Sequence, residues 1–313
     1  MKTYHDIATD GGSDVAGQVR AQEARLHSRL ADVGHIVAVM SGKGGVGKSA
    51  VTVLLATALA RSGIRTGIVD ADINGASIVE MTGVGRKPDR TSKGVIPAVS
   101  AEGVQIMSID LFLDRGTPVE WNAVTQKSAF TWRAMVEVAA IREMLADTLW
   151  GPLDVLFVDL PPGTDRLPNL LDLVPELSVA IVVTIPSRAS RYVVEKSILL
   201  ARPHLGDAPI GIVENMSEFV CNSCGEVHEM FPGSEGVDFE QDAHLTILGR
   251  IPFDPELSKR IDSGKNYLGS GTSKSSGGVG VFSAEAAIQS IAENLNRLLA
   301  SRTIPAPTME EVR

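Results

Sequence analysis

The sequence predicts an α/β protein whose core is a doubly wound, mostly parallel β-sheet with helices on both faces, and three observations predict it. A glycine-rich segment, Gly42 to Ser49, joins a strand-length apolar run to an apolar helical run. Further apolar runs of strand length then alternate with helical patterns, as a parallel sheet covered on both faces requires. The 313 residues, 44% hydrophobic and 21% charged, are enough to bury a large core as one big α/β domain.

In chain order, an amphipathic helix through Val15, Val19, Leu26 and Leu30 comes first and is expected to pack on the sheet edge or on a partner. His35 to Met40 is a continuous apolar run, read as a buried strand, and Ala50 to Ala60 reads as a buried helix. Between them Gly42-Lys43-Gly44-Gly45-Val46-Gly47-Lys48-Ser49 fits the phosphate-binding pattern G-x-x-x-x-G-K-S/T, with a second lysine, Lys43, one residue into the loop. Four glycines let backbone N–H groups turn inward on a phosphate chain, while the helix dipole and Lys48 add positive potential. The Ser49 hydroxyl suits Mg2+. The candidate nucleotide-binding residues are therefore Gly42, Lys43, Gly44, Gly45, Val46, Gly47, Lys48, Ser49 and Ala50.

Thr66 to Asp70 is the next strand, and it ends in Val69-Asp70-Ala71-Asp72. Carboxylates one residue apart on extended backbone point in opposite directions, which gives them separate duties. Asp70 is expected near the Mg2+ shell, and Asp72, on the segment Ile73 to Ser77, is expected to orient an attacking water; either taken singly also suits a turn cap. After the strand Val104 to Ile109 comes a helix from Lys127 to Thr148, with Trp132, Met135, Val136, Ala139, Ile141 and Leu145 near helical spacing. Leu153 to Asp159 is an apolar strand closed by an acid about a hundred residues after the loop, where such nucleotide sites place the carboxylate that holds Mg2+ through water. The following Pro161-Pro162-Gly163-Thr164 is stiff at its start and free at its glycine, which suits a segment that meets a γ-phosphate and moves after hydrolysis. Strands at Val179 to Ile185, Ile210 to Glu214 and Thr246 to Ile251, helices at Arg188 to Ala201 and Ala284 to Leu299, and a loop from Gly264 to Gly280 complete the pattern.

Charge narrows the function. Against 38 acidic residues stand 29 basic ones, a net charge of -9, which disfavours general binding to nucleic acid or anionic membranes. The chain has no run of eighteen apolar residues, and the polar start Met1 to Asp6 is unlike a signal peptide. A cytoplasmic protein with neither nucleic acid nor membrane as partner is expected.

The only cysteines are Cys221 and Cys224, so a disulfide framework is excluded and metal or redox chemistry becomes the question. Two thiolates at this spacing hold one face of a tetrahedral or cluster site, which usually needs four ligands, so one chain is two thiols short. A symmetric dimer solves the count. Thiolate softness suits iron–sulfur and zinc equally. A redox pair, a single-chain zinc site completed by His228, and two buried structural thiols are the other readings.

Gly42 to Ser49, Asp70-Ala71-Asp72-Ile73, Asp159 to Thr164, Val213-Glu214-Asn215-Met216-Ser217, Cys221-Asn222-Ser223-Cys224-Gly225 and Leu248-Gly249-Arg250-Ile251-Pro252 together resemble the Mrp/Nbp-type iron–sulfur carrier ATPases. These are a branch of the deviant Walker A class that also holds MinD and ParA, and the resemblance runs from about His35 to Leu299. It implies a P-loop NTPase fold of the SIMIBI type, with ATP and Mg2+ as cofactors and Ser49, Asp70 and Asp159 around the metal. It also implies a homodimer in which Lys43 reaches the partner's nucleotide, so that Lys43, Lys48 and Asp72 are the catalytic residues. Asn215 matches the family position that reads the adenine edge, and Pro252 lies in the segment lining the base. The cysteine pair matches the ligands of a bridging 4Fe-4S cluster, with Zn2+ the possible substitute, passed on to apo iron–sulfur client proteins.

The chain departs from the family on its moving segments. Asp165-Arg166 stands where Gly-Asp is common, and Asn74 and Ala76 stand where an aromatic residue and a proline are frequent. The expected organisation is an N-terminal helical extension over 1–34, an ATPase domain over 35–300 with a cysteine insertion near 217–233, and a flexible tail over 301–313. A MinD- or ParA-like positioning ATPase and a zinc-bridged protein-targeting ATPase are the alternatives. The C-terminal helix has one arginine against two glutamates, and the nine methionines are scattered, which fits both poorly.

Overall fold

The computed structural model describes residues 15–119, 129–164, 166–221, 224, 226–231, 245–264 and 283–301. In chain order these form α1 (Val15–Leu30), β1 (Val33–Met40), α2 (Lys48–Arg61), β2 (Thr66–Asp70), α3 (Ile78–Thr82), β3 (Arg90–Thr91), β4 (Gly94–Val95), β5 (Ala98–Val99) and β6 (Gln105–Ser108). After a 3-10 turn over Ile109–Phe112 come α4 (Ala129–Asp147), β7 (Leu153–Asp159), α5 (Arg166–Leu171), β8 (Val179–Thr184), α6 (Arg188–Leu205), β9 (Ile210–Val220), β10 (Val227–Glu229), β11 (Leu245–Phe253), α7 (Pro255–Asp262) and α8 (Ala284–Ala300).

The sheet has the order β10-β9-β8-β1-β7-β2-β6-β5, with β11 also paired to β9. Strands β9, β8, β1, β7, β2 and β6 run parallel to their neighbours, and only the short β5 and β10 pair antiparallel. Strand β1 is central, and its alternation divides the interior in two. Ile36, Ala38 and Met40 face a core built with Leu26 of α1, Ile141 and Leu145 of α4, and Val194 and Ile198 of α6. Val37 and Val39 face the other core, with Leu54 and Leu55 of α2 and Ile288, Ile291 and Leu295 of α8. Burial on both faces explains why β1 reads as a continuous apolar run rather than an alternating one.

The helix read through Val15 to Leu30 rests on α4 rather than on the sheet edge, with Leu26 buried against it. The strand expected to end at Glu214 continues to Val220, because its ladder with β11 runs on as far as Phe219. That extension carries the chain away from the nucleotide loop to the cysteines. Of the sequence segments singled out above, 1–14, 120–128, 165, 222–223, 225, 232–244, 265–282 and 302–313 lie outside the described residues.

Candidate functional site

The phosphate loop, Asp70, Asp72 and Asp159 lie at or beyond the C-terminal ends of β1, β2 and β7, whereas Asn215 and Pro252 lie within β9 and β11. The loop after β1 turns with Gly45 at φ 80° and Gly47 at φ 83°, the left-handed region that glycine enters without a Cβ penalty. Gly47 opens α2, whose first turn closes through Val51 N–H donating to the Gly47 carbonyl at 2.9 Å. A Cβ at Gly42 would meet Val193 Cγ1 of α6 at 2.5 Å, and one at Gly47 would meet Asn215 Nδ2 at 2.3 Å. The glycines thus let two other elements close around the loop. Lys43 and Gly44 are exposed, Val46 and Lys48 buried, and Gly42, Ser49 and Ala50 half-buried.

Asp159, fully buried at the end of β7, is the hub. Lys48 Nζ donates to its Oδ2 at 2.6 Å, Ser49 Oγ to the same oxygen at 2.6 Å, and Thr52 Oγ1 to Oδ1 at 2.7 Å. A buried carboxylate needs such a set, because its desolvation is offset only by a cation and further donors. Beside it on β2, Asp70 is the register partner of Asp159. Burial, and then the neighbouring Asp159 charge, push the Asp70 carboxyl up to about 7, against the opposing charge of Lys48. Asp70 also gathers the segment that follows, accepting from the N–H groups of Asp72, Ser77 and Ile78 and from Ser108 Oγ at 3.3 to 3.4 Å. Asp72, half-buried, accepts from Gly75 N–H at 3.1 Å, and burial raises its affinity for a proton while Lys48 lowers it. On the other side, Gly163 N–H donates to the Ser41 carbonyl at 3.0 Å, tying the Pro-Pro-Gly segment to the loop.

Asn215 lies on β9 and donates through Nδ2 to the Val46 carbonyl at 2.9 Å. Its register partner on β11 is Ile251, so the buried Pro252 is one residue further along that neighbouring strand. The preceding Glu214 is 2% exposed and is held between Arg191 of α6 at 3.6 Å and Arg250 of β11 at 2.7 Å. Thr52, Ser108 and Glu214 were not legible as site residues. Only Thr52 carried a signal, a hydroxyl one helical turn from Lys48 on the same face of the helix.

The cysteines occupy the turn of the hairpin that joins β9 to β10. Val220 pairs with Val227, and Cys221 N–H donates to the Glu226 carbonyl at 2.9 Å. Cys224 is exposed, Cys221 half-buried, and no disulfide joins them. His228 lies on β10 beside Glu226, 3.9 Å away, and among the described residues no three His, Cys, Asp or Glu side chains gather as a metal site. Nor is any described helix long and apolar enough to cross a membrane.

The sheet order and the loop between β1 and α2 define a P-loop nucleotide-binding protein of the MinD/ParA fold. Residues 32–295 match the family model described as ParA, the NUBPL iron-transfer P-loop NTPase, and the chain belongs to that family. It is 38% identical over 254 residues to the iron-sulfur cluster carrier protein of Saccharolobus solfataricus, covering 80% of this chain and 82% of that one. To the human cytosolic Fe-S cluster assembly factor NUBP2 it is 36% identical over 245 residues, 76% and 86% of the two chains. Among solved structures, a nucleotide-binding protein from Archaeoglobus fulgidus in complex with ADP superposes with TM-score 0.64 at 32% identity over 78% of this chain and 92% of that one. The cell division ATPase MinD of Pyrococcus furiosus, at 21% identity and TM-score 0.54 over 85% and 99%, shares the fold.

Proposed function

We propose that this chain is a cytoplasmic Mg-ATPase that holds a 4Fe-4S cluster between two copies of itself through Cys221 and Cys224 and passes it to apo iron–sulfur proteins. The observation that carries the reading is strand β9, which touches the phosphate loop through Asn215 and ends at Val220, one residue before Cys221. One element thereby serves both a nucleotide site and a soft-metal ligand pair. The names of the relatives, an iron-sulfur cluster carrier and a cytosolic Fe-S cluster assembly factor, support the cargo and the compartment.

The donor set at the loop fits Mg2+, since Ser49 Oγ and Asp159 Oδ2 are hard oxygens 2.6 Å apart at the end of the phosphate cradle. Ser49 would hold the ion, with Asp159 and Asp70 behind its water shell, and the ion would supply neutralisation of the phosphate charge. The protein does the rest by positioning. Loop amides and Lys48 bind the phosphates, and Lys43, exposed at the loop surface, is placed to reach a partner's nucleotide. Asp72, aimed by the Gly75 amide, aligns water, while Asn215 and Pro252 border the base.

Two thiols in one chain and no third ligand among the described residues favour a site shared between copies. A membrane-positioning role is disfavoured by α8, whose apolar residues Ile288, Ile291, Leu295 and Leu299 are buried in the core rather than available as an amphipathic anchor. The test is metal analysis of protein purified without oxygen, before and after reconstitution. About four iron and four sulfide per two chains are expected. Cys221→Ala loses both. Iron content unaffected by Cys221→Ala, or zinc alone in the anaerobic protein, would overturn the bridging cluster.

A further inference from the structure

The structure brings a residue from each of the two segments expected to move with the nucleotide, Asn74 and Arg166, onto one carboxylate. Asn74 Nδ2 donates to Glu137 Oε1 at 2.6 Å, and Arg166 donates through a terminal nitrogen to Glu137 Oε2 at 3.1 Å. Glu137 sits in α4 and is 6% exposed, so its charge needs a cation and a second donor, and these two residues provide them. Neither contact is local: Asn74 lies 63 residues before Glu137 and Arg166 lies 29 after it.

The platform is fixed. Ile141 and Leu145, one and two turns after Glu137, are buried in the core under β1 and β7. Ile73 and Leu160, at the roots of the two segments, are buried in that same core, and the polar clasp on Glu137 is made beyond them. Asn74 is two residues past Asp72, and Arg166 is three past Gly163, whose amide reaches the loop at Ser41. The residue types also explain each other. An aromatic side chain at 74 would have no amide to give Glu137, and an aspartate at 166 would set a second carboxylate against it. Asn74 and Arg166 are a matched pair, an amide and a cation on the two oxygens of one carboxylate.

We propose that Glu137 is a positioning residue that fastens both nucleotide-facing segments, 72–78 and 160–166, to α4 and so sets Asp72 against the phosphate loop. This rests on the reading of the chain as an ATPase. Its arrangement differs from a phosphate contact because Glu137 touches neither loop nor carboxylate hub; it acts only through the segments.

The experiment is hydrogen exchange on the full-length protein without added nucleotide, paired with ATPase kinetics. Glu137→Ala is expected to speed exchange in both 72–78 and 160–164, and to lower kcat on the order of tenfold with KM for ATP within about twofold. Glu137→Gln keeps the size and one acceptor for Asn74 but presents an amide to Arg166, so it speeds exchange in 160–164 and leaves 72–78 unchanged. That isosteric variant also decides the matter if Glu137→Ala does not fold. Exchange unaltered in 160–164 by Glu137→Gln, or faster exchange with kcat unchanged, overturns the proposal. Absence of ATP turnover in the unsubstituted protein would instead sink the ATPase reading, with the exchange result still reporting on the clasp.

Discussion

Replacing Gly47 with alanine tests whether the phosphate loop and β9 are one packed unit. Two costs can be read from the geometry. At φ 83° an L-residue pays about 1–2 kcal/mol for the left-handed conformation. The new methyl would also lie 2.3 Å from Asn215 Nδ2, so Asn215 must withdraw and its 2.9 Å hydrogen bond to the Val46 carbonyl is lost, worth about 0.5–1.5 kcal/mol. Together they predict a loss of about 1.5–3.5 kcal/mol, measured as a shift in urea midpoint at constant slope. Gly44→Ala is the control: its Cβ would meet nothing within 4 Å, so stability should stay within about 0.5 kcal/mol. Combining Gly47→Ala with Asn215→Ala removes the collision but not the backbone cost, so the double variant should be less destabilised than the sum by about 1 kcal/mol. A Gly47→Ala variant as stable as Gly44→Ala, or strict additivity with Asn215→Ala, would refute the packing argument.

Lys48→Ala should abolish ATP turnover and, by leaving Asp159 buried without its cation, destabilise the protein by about 3–5 kcal/mol; full activity of the purified variant would remove Lys48 from the site. His35 gives a pH test. Burial lowers its pKa below the ordinary 6.5, with the Asp154 charge opposing, and its Nδ1 lies 3.3 Å from Ser178 Oγ. The unfolded chain therefore takes up the proton first as pH falls through about 6.5, and stability drops until the folded pKa is passed. Comparing denaturation of His35→Gln and the parent between pH 7 and 5 should show a flatter profile for the variant, and parallel profiles would exclude the effect.

Legibility in the sequence followed the range of the interaction. Thr66 to Asp70 and Leu153 to Asp159 were bounded from sequence at the residues the structure gives, because a run buried on both faces and closed by an acid needs no tertiary information. The loop and the carboxylates beyond it were legible for the same reason, as strand-end positions of one sheet. Strand β9 was cut short at Glu214. Its next residues, Asn215, Met216, Ser217 and Glu218, look like a turn, and Met216 does take φ 54°, yet pairing with β11 and β10 carries the strand through them. The short helices α3 and α5 offer too few residues for a period to show. Helix α7 was legible in principle, with Asp254 capping the Glu256 and Leu257 amides and Pro255 at the first helical position. Glu137 was beyond reach, since nothing local distinguishes a glutamate that holds Asn74 and Arg166 from one facing water.

Strand β9 also imposes a rule of length. Asn215 and Cys221 are six residues apart, and the strand bulges between them, Asn215 to Phe219 lying opposite only Ile251 to Phe253 of β11. Past the bulge the pairing with β10 is regular, so inserting or deleting a residue between Glu218 and Cys221 would turn the side chains beyond it to the opposite face of that ladder. Substitutions at Ser217 or Glu218 change what the segment displays, whereas a change in residue number alters where the cysteines are delivered. The interval acts as a ruler, and a library varied in the length of this strand, rather than in its composition, is where its intolerance will be measured.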